Sequence, residues 1–137
     1  MVKQSGLKFT AKMHQAPSLT INERQDKMLQ HTIDKIEERL RKTESLNEGN
    51  KSELLNLLST LKVEIADLSK THNEQAESIT GFAELSTHEA TRQEKDPELL
   101  KLSIEGLGSS VHGFESSHPR LVNVVNAICS MLSDLGI

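Results

Sequence analysis

A glutamate and a histidine three positions apart, Glu115 and His118, are the residues of this sequence whose types and spacing most suggest chemistry. The same Glu-x-x-His spacing supplies part of the metal site in carboxylate-bridged di-iron bundles. Those sites need two such motifs and two further glutamates on continuous helices, whereas here one motif occurs and Pro119 follows it directly. Proline disfavours helical geometry in the residue before it, so His118 should lie outside regular helix. A metal-binding or enzymatic protein centred on Glu115 and His118 is therefore our alternative hypothesis.

The residues around Glu115 and His118 also have an ordinary structural interpretation, as the start of a helix. Pro119 suits the first helical position, Ser116 and Ser117 can cap free amides, and Glu115 lies near the positive end of the helix dipole. The sequence carries no HxxxH or HExxH pair, no nucleophile elbow and no lysine-bearing phosphate loop. We therefore predict that the protein is not an enzyme and has no catalytic, cofactor-binding or metal-ligating residues.

The composition favours narrow apolar stripes over a large closed core. Apolar residues make up 35% of the 137, and aromatic residues 2%, with no Trp or Tyr. A monomeric core built from so few large side chains would be thin, which favours helices that bury their stripes against other chains. We therefore expect a homodimer or larger homo-oligomer. The net charge of −4 repels phosphate backbones, so nucleic acid is not an expected partner.

Aliphatic residues recur at alternating spacings of four and three along most of the chain, which is typical of amphipathic helices. Thr20 and Glu23 match a capping box before the first of these ladders. Gly49 and Asn50 then predict a short turn, so that the first two helices form an antiparallel hairpin. The ladders are Leu29, Ile33, Ile36 and Leu40; Leu54, Leu58, Leu61, Ile65 and Leu68; Leu100, Ile104, Leu107, Val111 and Phe114; and Leu121, Val125, Ile128, Leu132 and Leu135.

The middle of the chain is harder to divide into helices. The second ladder continues in register beyond Leu68 through His72, so one unbroken helix to about residue 80 is one interpretation. Within residues 71–95 we predict mostly helix with a break. Asp96 and Pro97 mark a clearer helix start, as N-cap and first helical residue. A row of small residues beside the third ladder predicts either a contact groove or a frayed helix, and comprises Ser103, Gly106, Ser110, Gly113 and Ser117.

These patterns divide the chain into a flexible basic tail over 1–19, an N-terminal helix over 20–48 and a helical domain over 49–137. The tail has three lysines and no acid, so peripheral attachment to a membrane surface through it is a second alternative function. The single Cys129 excludes an internal disulfide, and no run approaches the roughly 18 apolar residues of a membrane span. A cytoplasmic protein is the default expectation.

The region from about Lys51 to Ile137 resembles a domain-of-unknown-function family of short bacterial helical proteins. The resemblance implies a bacterial source and a small helical fold, and makes residues 1–50 an extension. It implies no activity, so it transfers no functional residues. The residues that carry it are Leu54 and Leu55, Asp96 and Pro97, the Phe114-Glu115-x-x-His118-Pro119 motif, and the terminal Gly136 and Ile137.

Together these observations predict an all-α protein, a hairpin or bundle of antiparallel amphipathic helices with coiled-coil-like seams. We expect it to act as a non-enzymatic interaction or scaffold protein, through helix–helix self-association or binding of a protein partner. The side chains expected to form the interface are Leu58, Leu61, Ile65, Ile104, Leu107, Val125 and Ile128.

Overall fold

The computed structural model describes residues 20–135, whose regular secondary structure is entirely helical. The prediction of an all-α protein is therefore confirmed for this part of the chain. The predictions made for residues 1–19 lie outside the described residues, as do Gly136 and Ile137. The five helices are α1 (Ile21–Lys42), α2 (Glu48–Leu68), α3 (Asn73–Thr91), α4 (Pro97–Ser109) and α5 (Pro119–Leu135).

Three helix starts lie where the capping residues predict them. The Thr20 hydroxyl accepts the Glu23 N–H, and the Glu23 carboxylate accepts the Thr20 N–H, both at 3.0 Å. Asp96 caps α4 by accepting two backbone N–H groups of its first turn, with Pro97 as the first helical residue. Pro119 likewise begins α5. The position of each of these helix starts is determined locally, because it depends on hydrogen bonds or steric contacts within one turn of helix.

The predicted turn at Gly49 and Asn50 is wrong. The connection between α1 and α2 comes earlier, at residues 43–47, and both residues lie in the first turn of α2. Asn47 is the N-cap, and its side chain accepts the Asn50 N–H at 2.8 Å. Leu46 is buried within the connection. Helix α1 itself ends at its C-cap Thr43, whose N–H and hydroxyl donate to the Leu40 and Arg39 carbonyls, so its end needs no glycine.

The interpretation of residues 51 to 80 as one helix is also wrong, because the chain turns at residues 69–72. Residues 71–95 are mostly helical, as predicted, and contain one helix, α3, followed by an irregular connection to α4. His72 stands at the N-cap position of α3 and makes no side-chain capping hydrogen bond. The start of α3 is therefore not held by a side-chain cap. The turn is held by backbone hydrogen bonds, including one of 2.8 Å from the His72 N–H to the Leu68 carbonyl.

The helices pack as a bundle in which α2 and α3 lie between α1 and α5. Hydrogen bonds join Gln30 to the Lys62 carbonyl and Lys51 to the Arg41 carbonyl, so α1 and α2 are antiparallel. Helix α1 also packs along α3, α5 packs against α2, α3 and α4, and α4 covers the outer side of α3 and α5. The five helices and the first connection share one apolar core. The aliphatic ladders are thus buried against one another within a single chain.

Candidate functional site

The corner before α5 brings three aromatic rings together. The rings of His72, Phe114 and His118 meet edge to face, with centroids 5.3 Å apart for His72–Phe114, 5.5 Å for Phe114–His118 and 6.1 Å for His72–His118. Phe114 is buried, whereas His118 is partly buried and His72 is exposed. The corner therefore ties the connection before α3 to the connection before α5.

Glu115 and His118, the pair singled out by spacing, have different partners. The Glu115 carboxylate accepts the Gly113 N–H at 2.9 Å, across a turn in which Gly113 has a φ of +95°. His118 places Nδ1 2.9 Å from the Ser117 hydroxyl and Nε2 4.0 Å from the Asp67 carboxylate. The glutamate thus stabilises a left-handed turn that favours glycine, and the histidine faces the end of α2.

Potential metal ligands are dispersed over the described part of the chain. Within residues 20–135, no group of three or more His, Cys, Asp or Glu side chains is arranged to hold a metal ion. Carboxylate and thiol groups that are shielded from solvent have structural partners. Glu89 is buried and forms an ion pair with Arg92 at 2.9 Å, while the Cys129 thiol donates to the Ile104 carbonyl at 3.7 Å. Burial raises the pKa of the Cys129 thiol, which disfavours the reactive thiolate.

The side chains expected to form an intermolecular interface lie inside the bundle. Ile104 is partly buried and packs against the core. The other six are buried, with at most 1% of their surface exposed: Leu58, Leu61, Ile65, Leu107, Val125 and Ile128. In the folded chain these residues contact neighbouring helices of the same molecule. A partner of the intact bundle would have to contact other side chains.

Three leucines on α3 and α4 are exposed, and one of them, Leu85, also lines the cleft between α1 and α3. The helices are antiparallel and meet where Gly106 approaches Phe82. Leu85 lies one turn beyond Phe82, and Leu102 lies one turn before Gly106, so both are displaced in the same direction from that contact. Leu99 follows on α4. We call Leu85, Leu99 and Leu102 the leucine face; their exposed fractions are 45%, 45% and 53%.

Sequence reasoning missed the leucine face, although a signal for it exists. Leu99 and Leu102 flank the third ladder without belonging to it, and Leu85 stands outside the ladders altogether. Apolar residues that are out of register with the core stripe of their helix point elsewhere. Such residues are candidates for contact with a second protein.

A second surface feature is the cleft between α1 and α3. Two open cavities, of about 350 and 400 Å³, lie on either side of Gly81 and share Glu84 in their walls. The smaller is lined on the α1 side by Met28 and Thr32, and on the α3 side by Thr80. Lys35 crosses the cleft to pair with Glu84 at 3.4 Å. Helices α1 and α3 thus leave open grooves at the surface beside their buried ladders.

The fold defines a small all-α protein built as a helical bundle. Comparison with protein families matches residues 54–137 to DUF4404, a domain of unknown function. The match covers more than half of the chain, and the protein belongs to this family. The resemblance to a domain-of-unknown-function family is thereby confirmed. The match begins inside α2, so α1 lies outside it.

No curated protein and no solved structure matches the chain. Within residues 20–135, none of the helices is both long and apolar enough to cross a membrane.

Proposed function

We propose that this protein is a non-enzymatic helical interaction module that self-associates through the leucine face. The single observation that supports the proposal is the exposure of Leu85, Leu99 and Leu102 on adjacent helices. Leu99 and Leu102 stand outside the buried core, and Leu85 is exposed where it lines the larger cavity between α1 and α3. Contact with a second copy would remove their apolar surface from water, which is favourable by about 25 cal/mol per Å².

A second copy is the expected occupant because the same face can meet itself about a two-fold axis. Most homo-oligomers are closed dimers of this kind, in which one patch contacts the identical patch of the partner. Close packing of helix pairs across the axis would give a coiled-coil-like seam between chains, formed by the leucine face in place of the core ladders. Scaffolding of other proteins would then use the remaining surface of the dimer.

The mass in solution tests this proposal directly. We expect light scattering to give a multiple of the 15.2 kDa chain mass, and we expect Leu102→Glu to shift the population toward one chain because it places a charge in the interface. Val63→Glu is the matched control, since Val63 is an equally apolar, exposed residue on α2. A wild-type protein that stays at one chain mass, or a mass that Leu102→Glu leaves unchanged, contradicts the proposal.

Metal analysis of protein purified without a tag separates this proposal from the alternative at Glu115 and His118. Stoichiometric iron, zinc or manganese would favour the alternative. We expect none, because the Glu115 carboxylate is engaged by the Gly113 N–H.

A further inference from the structure

We propose that α1 is an exchangeable occupant of a helix-binding groove between α2 and α3, and that the groove also accepts α1 of a second copy. The inference rests on the proposed function, self-association through helices, and adds a second surface and the segment that fills it. Three features of α1 support it: its place outside the family match, its packing against α2 and α3 alone, and the unpaired polar atoms beneath it.

Helix α1 is an addition to one side of the bundle. The family match begins at Leu54, after α1 and its connection to α2. Helix α1 packs against α2 and α3, and contacts neither α4 nor α5. Helices α2 to α5 are packed against one another without it. Removal of α1 would therefore open a groove between α2 and α3 while leaving the remaining contacts in place.

The contact of α1 with the groove is one apolar stripe with polar groups at its edges. The polar contacts of α1 come from exposed or partly buried side chains. Asp34 of α1 pairs with Lys62 of α2, and Arg39 of α1 donates to the Thr91 hydroxyl of α3 at 3.0 Å. These pairs lie at the rim, where water can replace each partner at little cost. The stripe consists of Leu29, Ile33, Ile36 and Leu40.

The polar groups beneath α1 are incompletely satisfied. Among the described residues, two buried side-chain polar atoms have no hydrogen-bond partner, Asn73 Oδ1 and Thr80 Oγ1. Both belong to α3 residues on the α1 side: Asn73 donates to Gln25, and Thr80 lines the smaller cavity. Thr80 is only 2% exposed. Unpaired buried polar atoms and adjacent cavities lower the stability of one interface, so α1 should open more readily than α5.

A second α1 fits the groove because it carries the same stripe and the same edge charges. An α1 from another chain could repeat the Lys62–Asp34 and Lys35–Glu84 pairs, so exchange keeps the contacts at the edges of the groove. The connection of residues 43–47 is short, and short hinge connections favour exchange of a terminal element between chains. Helix exchange would thus join two copies through contacts that each chain already makes within itself.

A labelled peptide of residues 20–42 provides the test. Its binding to the full-length protein is followed by fluorescence anisotropy, for wild type and for Ile36→Ala, which weakens the seating of the protein's own α1. We expect Ile36→Ala to bind the peptide about tenfold more tightly or better, because it raises the fraction of chains with an open groove. Leu132→Ala is the matched control: it shortens an equally buried side chain on α5. It should leave peptide binding at the wild-type level.

Hydrogen exchange of the wild-type protein gives a second readout that needs no variant. We expect α1 amides to exchange about tenfold faster than α5 amides, or more, under conditions where the bundle stays folded. Equal protection of α1 and α5, or equal peptide binding by the two variants, overturns the exchange of α1. The leucine-face result is separate, because Leu102→Glu changes the mass of the intact protein without touching the groove.

Discussion

Gly106 of α4 lies against the ring of Phe82 of α3. A carbon atom added at Gly106 would stand 2.3 Å from Phe82 Cε1, far inside contact distance. The predicted row of small residues beside the third ladder thus has a contact at its centre. The position of the Phe82 ring against α4 depends on the missing side chain at Gly106.

The first prediction follows from that contact. Gly106→Ala should lower the free energy of unfolding by about 1–3 kcal/mol through overpacking. This loss should outweigh the roughly 1 kcal/mol that alanine gains over glycine in a helix. Urea unfolding followed by circular dichroism measures the difference.

Gly81→Ala is the control for Gly106→Ala. No atom lies within 4 Å of a carbon added at Gly81, which is also inside a helix. This variant should gain up to about 1 kcal/mol from helix propensity alone. If both alanines stabilise the protein, Gly106 is not a packing requirement.

The second prediction concerns the core ladder of α2. Leu61 is fully buried, so Leu61→Ala should lower the free energy of unfolding by about 2–5 kcal/mol and lower the melting temperature with it. Val63→Ala, two residues away on the exposed side, should change it by less than about 0.5 kcal/mol. Differential scanning calorimetry of both variants checks the contrast. Equal effects would mean that the ladder does not face the core.

The third prediction is a loss of stability in acid. Two hydrogen bonds hold the pKa of Glu23 below its ordinary value of 4.5. The one from the Thr20 N–H has the larger effect, and the one from the Thr20 hydroxyl the smaller. A lowered pKa in the folded state means that the ionised carboxylate adds stability above pH 4.5, which is lost as the pH falls through the lowered pKa. Glu23→Gln should therefore show a shallower loss of urea midpoint in acid than wild type.

Glu115 provides a separate check on the same acid effect. Its pKa is lowered by its own backbone N–H and by the Gly113 N–H, so its contribution has the same sign. Glu115→Gln should also flatten the acid limb of stability against pH. If Glu23→Gln and Glu115→Gln both lose stability with falling pH as steeply as wild type, neither carboxylate is linked to folding.

The fourth prediction is slow reaction of the Cys129 thiol. Burial raises its pKa, and its Sγ lies against the Ile104 carbonyl. Because the thiolate is the reactive form, a disulfide reagent such as DTNB should label the native protein much more slowly at neutral pH than it labels the protein in urea. Equal rates in the two states would mean that the thiol is freely accessible.

Local signals in the sequence predicted the starts of α1, α4 and α5 but missed those of α2 and α3. The Thr20–Glu23 box and the Asp96–Pro97 cap each depend on residues within one turn, so their geometry is legible in the sequence. The turn after Leu68 depends on backbone hydrogen bonds and has no side-chain cap at His72. The third ladder also continued in register to Phe114, whereas α4 ends at Ser109.

The ladders identified which side chains are buried, but periodicity does not say which chain covers them. Leu58 and Ile128 have the spacing of an intermolecular seam and are covered by helices of their own molecule. The leucine face could not be placed from sequence for the converse reason. Its position depends on the antiparallel contact of α3 with α4, which no local pattern encodes. For Glu115 and His118, spacing alone did not reveal that the turn at Gly113 directs the carboxylate to a backbone amide.

The sandwich of α2 and α3 between α1 and α5 has a consequence for synthesis of the protein. Helices α2 and α3 share the smallest contact of the neighbouring pairs, so α2 depends on α1 and α5 for cover, whereas α3 is covered mainly by α4 and α1. A ribosome-bound chain that has released α1 to α4 would still expose the side that α5 covers. Completion of the bundle must wait for α5 to emerge, and until then the nascent chain presents a surface that chaperones would recognise.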